Sequence, residues 1–201
     1  MPPKPQLSKY SLEAERYFHE YKRLYFSNVH RQFIKYLPKR KGAPVLDVGC
    51  GSGRDALSLA KRGYQVTAVD PSEELLDFAR MSAPPATVTW GIDALPELES
   101  LDAQQFDFIL VSAVWMHLEP HQREPSLRRL KALLSDSGYL AVTLRLGTPD
   151  TSRSMYELNT KEFLSQAKAT GFDAQYVSRS TKDSLSRPDV YWKKVVLKKA
   201  A

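Results

Sequence analysis

Two hydrophobic rhythms alternate along this chain. Short apolar runs such as Val45-Leu46-Asp47-Val48 and Phe106-Asp107-Phe108-Ile109-Leu110-Val111 suit strands buried on both faces of a parallel sheet. Between them, apolar residues recur at helical spacing, as in Ala56, Leu57, Leu59 and Ala60, the stripe of a helix resting on a sheet. The pattern predicts strands near residues 44–49, 65–70, 87–90, 106–112, 138–145, 173–179 and 190–198, and helices near 53–62, 72–80, 121–134 and 160–170. Such alternation predicts an α/β fold, a mainly parallel sheet covered on both faces. The last two strands follow one another without a helical pattern between them, so they read as a hairpin with a long loop. Ahead of the sheet, residues 11–37 carry an aromatic-rich helical face that Pro38 ends. The first five residues, rich in proline, read as disordered.

Where the first strand meets the first helix stands Gly49-Cys50-Gly51-Ser52-Gly53. Glycine pays no Cβ penalty at positive φ and lets a ligand lie against main chain, and strand-to-helix turns are where open α/β sheets bind ligands. The spacing is G-x-G-x-G. The dinucleotide fingerprint wants G-x-G-x-x-G, which would put glycine where Arg54 stands, and no phosphate-loop lysine follows. Phosphate is therefore not the favoured ligand. Asp70, ending the second strand, is placed to accept hydrogen bonds from the hydroxyls of a ribose, or else caps the helix beginning near Ser72.

At this point the chain resembles a class I S-adenosylmethionine-dependent methyltransferase. VLDVGCGSG is similar to the first motif of that family and VTAVDPS to the second. Trp90-Gly91-Ile92-Asp93-Ala94-Leu95-Pro96 is similar to the third, Phe106 through Ser112 to the fourth, and the stretch from Leu133 through Val142 to the fifth. The likeness spans about residues 43–146, and the compact length and the run GCGSGRDALSLAKRGYQVTAVD are similar to the tellurite-resistance type and to small ubiquinone-biosynthesis-like enzymes. It implies a Rossmann-like three-layer sandwich with a seven-stranded, mostly parallel sheet whose antiparallel last strand is inserted between the fifth and sixth. It divides the chain into an N-terminal helical lid segment over residues 1–42 and a methyltransferase domain over residues 43–201.

The resemblance also implies a cofactor, S-adenosyl-L-methionine, and a set of contacts. Gly49, Cys50, Gly51 and Gly53 would face its methionine part, and Asp47 would anchor the ammonium or organise the turn. Asp70 and Pro71 would hold the ribose, and Ser112 would border the site from the fourth strand. Asp93 and Ala94 would meet the adenine, unless Asp93 only caps a turn.

Composition narrows the class. A chain of 201 residues holds one well-filled domain. A single cysteine, Cys50, excludes a disulfide framework and a cysteine-rich zinc site, and makes a reducing, cytoplasmic setting the default. The N-terminus lacks an apolar signal core, and the longest near-apolar run, residues 108–116, is too short to cross a bilayer, so no membrane partner is expected. The net charge of +6 admits RNA as a partner. Yet the basic residues are dispersed, among them Arg123, Arg128, Lys193, Lys194 and Lys198, as they are on surfaces charged for solubility.

The acceptor is expected to meet Ser112-Ala113-Val114-Trp115-Met116-His117-Leu118, which follows the fourth strand. His117 can take a proton from a hydroxyl or amine near neutral pH, or can bond the backbone. Trp115 can wall the substrate or sit in the core. The segment lacks the paired prolines that exocyclic-amine methyltransferases resemble one another in, and lacks a nucleophilic cysteine. Ser112 and Arg145 stand where a metal-assisted enzyme would carry acidic ligands, so no metal is expected. The N-terminal segment and the loop 147–159 would cover the substrate, with Tyr17, Tyr21, Tyr25, Arg23 and Arg153 as contacts or as surface packing. The expected function is methyl transfer to an O, N or S nucleophile of a small molecule. The rivals are the same fold acting on RNA or protein, and a non-catalytic cofactor-binding module.

Overall fold

The computed structural model describes residues 9–84 and 88–200, so the proline-rich start lies outside the described residues. Among these, eight strands form one sheet: β1 (Pro44–Val48), β2 (Gln65–Asp70), β3 (Val88–Ile92), β4 (Phe106–Val111), β5 (Leu134–Leu146), β6 (Phe172–Val177), β7 (Thr181–Lys182) and β8 (Tyr191–Lys199). Their order is β3-β2-β1-β4-β5-β8-β6, with the short β7 also paired to β8. The first five are parallel, and β8 runs antiparallel to both β5 and β6. The expected seven-stranded sheet with an inserted antiparallel strand is present; β7 adds a two-residue eighth strand in the loop of the last hairpin.

Alternation along the strands builds a core on each face. Leu46, Val48, Ile109, Val111, Leu140 and Val142 pack with Leu127 and Leu130, residues of α6 (Pro120–Leu133), and with Phe163 of α7 (Thr160–Ala169). On the opposite face, Val45, Phe108, Leu110, Ala141 and Val196 pack with Ala56 and Leu59 of α4 (Arg54–Lys61) and with Phe26 and Phe33. Each fully buried side chain of this size contributes roughly 1.5–3 kcal/mol. The helices start where polar residues satisfy their free N–H groups. Ser72 accepts from Leu75 N at 3.2 Å at the head of α5 (Glu73–Ser82), and Asn159 accepts from Lys161 N and Glu162 N at the head of α7.

Two expectations need correction. Residues 11–37 do not form one helix: they break into α1 (Lys9–Leu12), α2 (Ala14–Lys22), α3 (Phe26–Val29) and a 3-10 turn over Arg31–Tyr36. Their aromatic residues serve different neighbours. Tyr17 packs with Leu75 of α5, whereas Phe26 and Phe33 enter the sheet core, and one straight helix could not reach both. The fifth strand begins at Leu134, directly after α6, rather than near residue 138.

Strand order reverses between β1 and β4, and the chains leaving their carboxyl ends diverge there, opening the crevice that such sheets offer to ligands. Among the described residues no helix is long and apolar enough to cross a membrane.

Candidate active site

A cavity of about 410 Å³ fills this crevice. Its floor at one end is the glycine turn with Asp70, Pro71 and Ser72; its middle is Ser112, Ala113, Val114 and His117; its far end is formed by Thr143, Trp192, Lys194 and the segment 181–187. Tyr10, Tyr21 and Leu24 from the N-terminal segment, and Ser152, Arg153 and Ser154 from the loop after β5, close over it.

The donor end is built around carboxylates. Gly51 N donates to Asp70 Oδ2 at 2.8 Å and Ser72 N to Oδ1 at 2.9 Å, so Asp70 ties the glycine turn to the head of α5 and keeps further lone pairs free. Burial pushes its carboxyl up to about 6, against those two hydrogen bonds. Gly51 has φ +51°, and a Cβ there would meet nothing within 4 Å, so its missing side chain leaves open cavity space. Behind the turn, Asp47 is fully buried, with Oδ2 lacking a hydrogen-bond partner. Burial, then the nearby Asp55 carboxylate, raises its carboxyl well above the usual range.

A second buried pair braces the turn from below. His30 Nε2 lies 2.9 Å from Asp55 Oδ2, and Arg54 grips the same carboxylate through Nε at 2.8 Å and Nη2 at 2.6 Å. Burial alone would raise Asp55, but Arg54 and His30 outweigh it and hold the carboxyl well below the ordinary range. His30 also lies 3.4 Å from Ser112 Oγ, connecting the N-terminal segment with the end of β4.

In the middle of the cavity His117 Nδ1 donates to the Ser154 carbonyl at 3.3 Å, which leaves Nε2 to accept from Tyr10 Oη at 3.1 Å. Burial, with a smaller push from Arg153, lowers the imidazole from its usual value, so the ring is neutral at pH 7. Arg153 donates to Tyr10 Oη and, at 3.1 Å, to Tyr21 Oη, and its guanidinium stands 4.9 Å and 5.2 Å from the Tyr10 and Tyr17 ring centres. Ala113 holds φ +58°, unusual for alanine, and its N–H donates to Thr143 Oγ1 at 2.8 Å, which fixes the turn after β4.

The methyltransferase domain family matches residues 45–138. A ubiquinone biosynthesis O-methyltransferase of Coxiella burnetii is 34% identical over 144 residues, 68% of this chain. The chain belongs to the class I S-adenosylmethionine-dependent methyltransferases. It spans about 60% of the length of the curated relative. Among solved structures, a TehB-like methyltransferase from Corynebacterium glutamicum superposes with a TM-score of 0.70 at 21% identity, covering 94% of this chain and 98% of that one. A chain from the Haloferax volcanii complex of the Trm112 methyltransferase activator with a methyltransferase reaches 0.77 at 14% identity, covering 98% and 100%. These structural likenesses concern the fold.

Against this methyltransferase frame, Gly49, Cys50, Gly51, Asp70, Pro71, Ser112, His117, Tyr21 and Arg153 line the cavity, and Asp47, Gly53, Asp93, Ala94 and Trp115 do not. Asp93 spends its carboxylate on Ala94 N, Ser100 N and Ser100 Oγ, the arrangement of a turn cap. Trp115 is buried edge-on to Phe163 with ring centres 5.1 Å apart, so it is core rather than a substrate wall. Tyr25 and Arg23 are exposed away from the cavity, whereas Tyr17 backs Arg153.

Sequence reasoning missed Tyr10, His30, Asp55, Thr143 and Lys194. Pairs such as His30 with Asp55 carry no spacing signal, because the turns of the N-terminal segment bring them together. Lys194 did carry one. A lysine inside the apolar run of β8 belongs to a buried strand, and it is not the dispersed surface charge that the composition suggested. Arg123 is likewise buried, bonded to the Leu118 and Glu157 carbonyls.

Proposed function

We propose that this chain transfers the methyl group of S-adenosylmethionine to an O, N or S nucleophile of a small molecule. The observation that carries the proposal is one continuous cavity joining the glycine turn and Asp70 to a neutral histidine with its Nε2 lone pair turned inward. The residues fit the cofactor. Gly51 leaves main chain open to its methionine part, the spare lone pairs of Asp70 suit ribose hydroxyls, and the orphaned Asp47 Oδ2 suits an ammonium reached through water. When bound, S-adenosylmethionine supplies a methyl on a sulfonium, an electrophile whose leaving group needs no protonation.

The chain's own work is alignment, exclusion of water and movement of one proton. His117 Nε2 takes the proton of the acceptor nucleophile, directly or through the Tyr10 hydroxyl that it now holds, and the Ser154 carbonyl fixes the ring and its tautomer. The N-terminal segment and the loop 147–159 form the cover through Tyr10, Tyr21 and Arg153. A small acceptor suits a cavity of this size and the name of the Coxiella relative. The buried free Cys50 suits a reducing, cytoplasmic compartment.

The test is transfer of labelled methyl from S-adenosylmethionine into extract fractionated into metabolites, RNA and protein; label in the metabolites is expected, and label confined to RNA or protein replaces the acceptor class. In parallel, Asp70→Ala is expected to weaken cofactor binding about tenfold to a hundredfold. Gly51→Leu, whose side chain would fill the cavity, should abolish it. Unchanged affinity in both, measured by calorimetry, sinks the assigned donor site.

A further inference from the structure

We propose that Lys194, at the end of the cavity away from the glycine turn, anchors an anionic group of the methyl acceptor, a carboxylate or a phosphate monoester. This rests on the reading of the cavity as a methyltransferase site.

Lys194 is only 7% exposed, and it lines the cavity. Among the described residues its ammonium has neither a hydrogen-bond nor an ion-pair partner. A lysine with its stem this deep is rarely left without a partner at its charged end. Its backbone is fixed: Ser178 N donates to the Lys194 carbonyl and Lys194 N to Ser178 Oγ, both at 2.9 Å. In the sheet register it pairs with Thr143, the residue that holds the turn after β4. Lys194 therefore lines the same cavity as His117, across the β5–β8 pair from the residue that holds the turn after β4. On the same face of β8, two residues on, Val196 is core. A hydrophobic residue at 194 would simply have extended that core.

The surroundings are cationic as well. Arg145 is 8% exposed, sits diagonally across the pair from Lys194, and has a buried Nε without a partner. Burial, then Arg187 and Arg153, lowers its guanidinium, a sign that these cations crowd one region. The carboxylate at hand, Asp183, is already saturated by Arg187, the Trp192 indole N–H and the backbone N–H groups of Leu185 and Arg187. It cannot also serve Lys194. The held Trp192 indole lines the cavity on the same strand face as Lys194, offering a flat apolar wall for the body of the molecule whose anion the lysine receives.

The experiment loads the full chain with S-adenosylhomocysteine and titrates benzoate, phenyl phosphate and the neutral benzamide, in wild type, Lys194→Met and Lys194→Arg. Wild type is expected to bind benzoate or phenyl phosphate saturably and benzamide about tenfold more weakly; whichever anion binds better names the acceptor's group. Lys194→Met should lose about tenfold or more in anion affinity with unchanged affinity for S-adenosylhomocysteine, and Lys194→Arg should retain the anion. The Met variant is expected to melt no lower than wild type, since it removes a charge that no protein group pairs. Equal binding of benzamide, or no loss in Lys194→Met, overturns the proposal. So does weakened S-adenosylhomocysteine binding in Lys194→Met, which would make the lysine an anchor for the cofactor. Failure of wild type to bind S-adenosylhomocysteine would bring down the methyltransferase reading itself, whereas tight binding without anion recognition brings down this inference alone.

Discussion

Asp70 is where the physics of a single residue governs the donor end. Its carboxyl, raised by burial from 3.8 to about 6, is protonated in the folded chain at pH values where the unfolded chain has released that proton. The stability this gives is present in full below the unfolded value and is lost as pH rises through about 6. Cofactor binding through Asp70, as proposed, would have the opposite preference, because ribose hydroxyls would donate to the ionised form. Affinity should be flat above pH 6 and fall by up to about tenfold per unit below it. Calorimetry from pH 5 to 8 checks this, and Asp70→Asn should flatten the profile; a flat wild-type curve removes Asp70 from the ribose. At His117, substitution by Ala should lower kcat about a hundredfold or more. Tyr10→Phe, which frees Nε2, should spare kcat for an acceptor that reaches the ring directly. Of the cavity-lining residues, Gly49, Gly51 and Asp70 were legible because their placement at strand ends depends on local sequence. His117 was legible only as an alternative, since its Tyr10 and Ser154 partners come from distant parts of the chain.

At the scale of elements, the strands were readable because residues buried on both faces leave continuous apolar runs, and the helices because each rests a single stripe on the sheet. The N-terminal segment defeated the same reasoning. Its aromatic positions fit one helical face, but their partners on α5 and under the sheet lie in different directions. No sequence cap marks the breaks: α2 and α3 begin without a side-chain hydrogen bond. Packing also sets the third glycine of the turn. Gly53 begins α4 at φ +75°, and a Cβ there would stand 2.7 Å from Trp90 Cη2 and 2.9 Å from Ala79 Cβ. Gly53→Ala should cost about 1–3 kcal/mol by overpacking, read as a lower urea midpoint at unchanged slope. Its effect belongs to the joint between α4, β3 and α5, since Gly53 does not line the cavity.

For the whole molecule, charge sorts by location more than by amount. The net +6 resides partly on the exterior, yet Arg153 and Lys194 line the cavity, with buried Arg145 beside them, while Asp70 lines its glycine-turn end. The proposed sulfonium and anionic acceptor would thereby have opposite ends to occupy. The sheet order adds a constraint of timing. Because β8 lies between β5 and β6, a chain emerging from the ribosome carries both neighbours with open edges until residues 191–199 arrive. A chain cut short at residue 188 should collect in the insoluble fraction on expression, while the same cut rescued by a co-expressed 189–201 peptide should not. The strand that closes the sheet is also the one that delivers Lys194, so a nascent chain completes the far wall of its cavity only in the act of closing its last open edges.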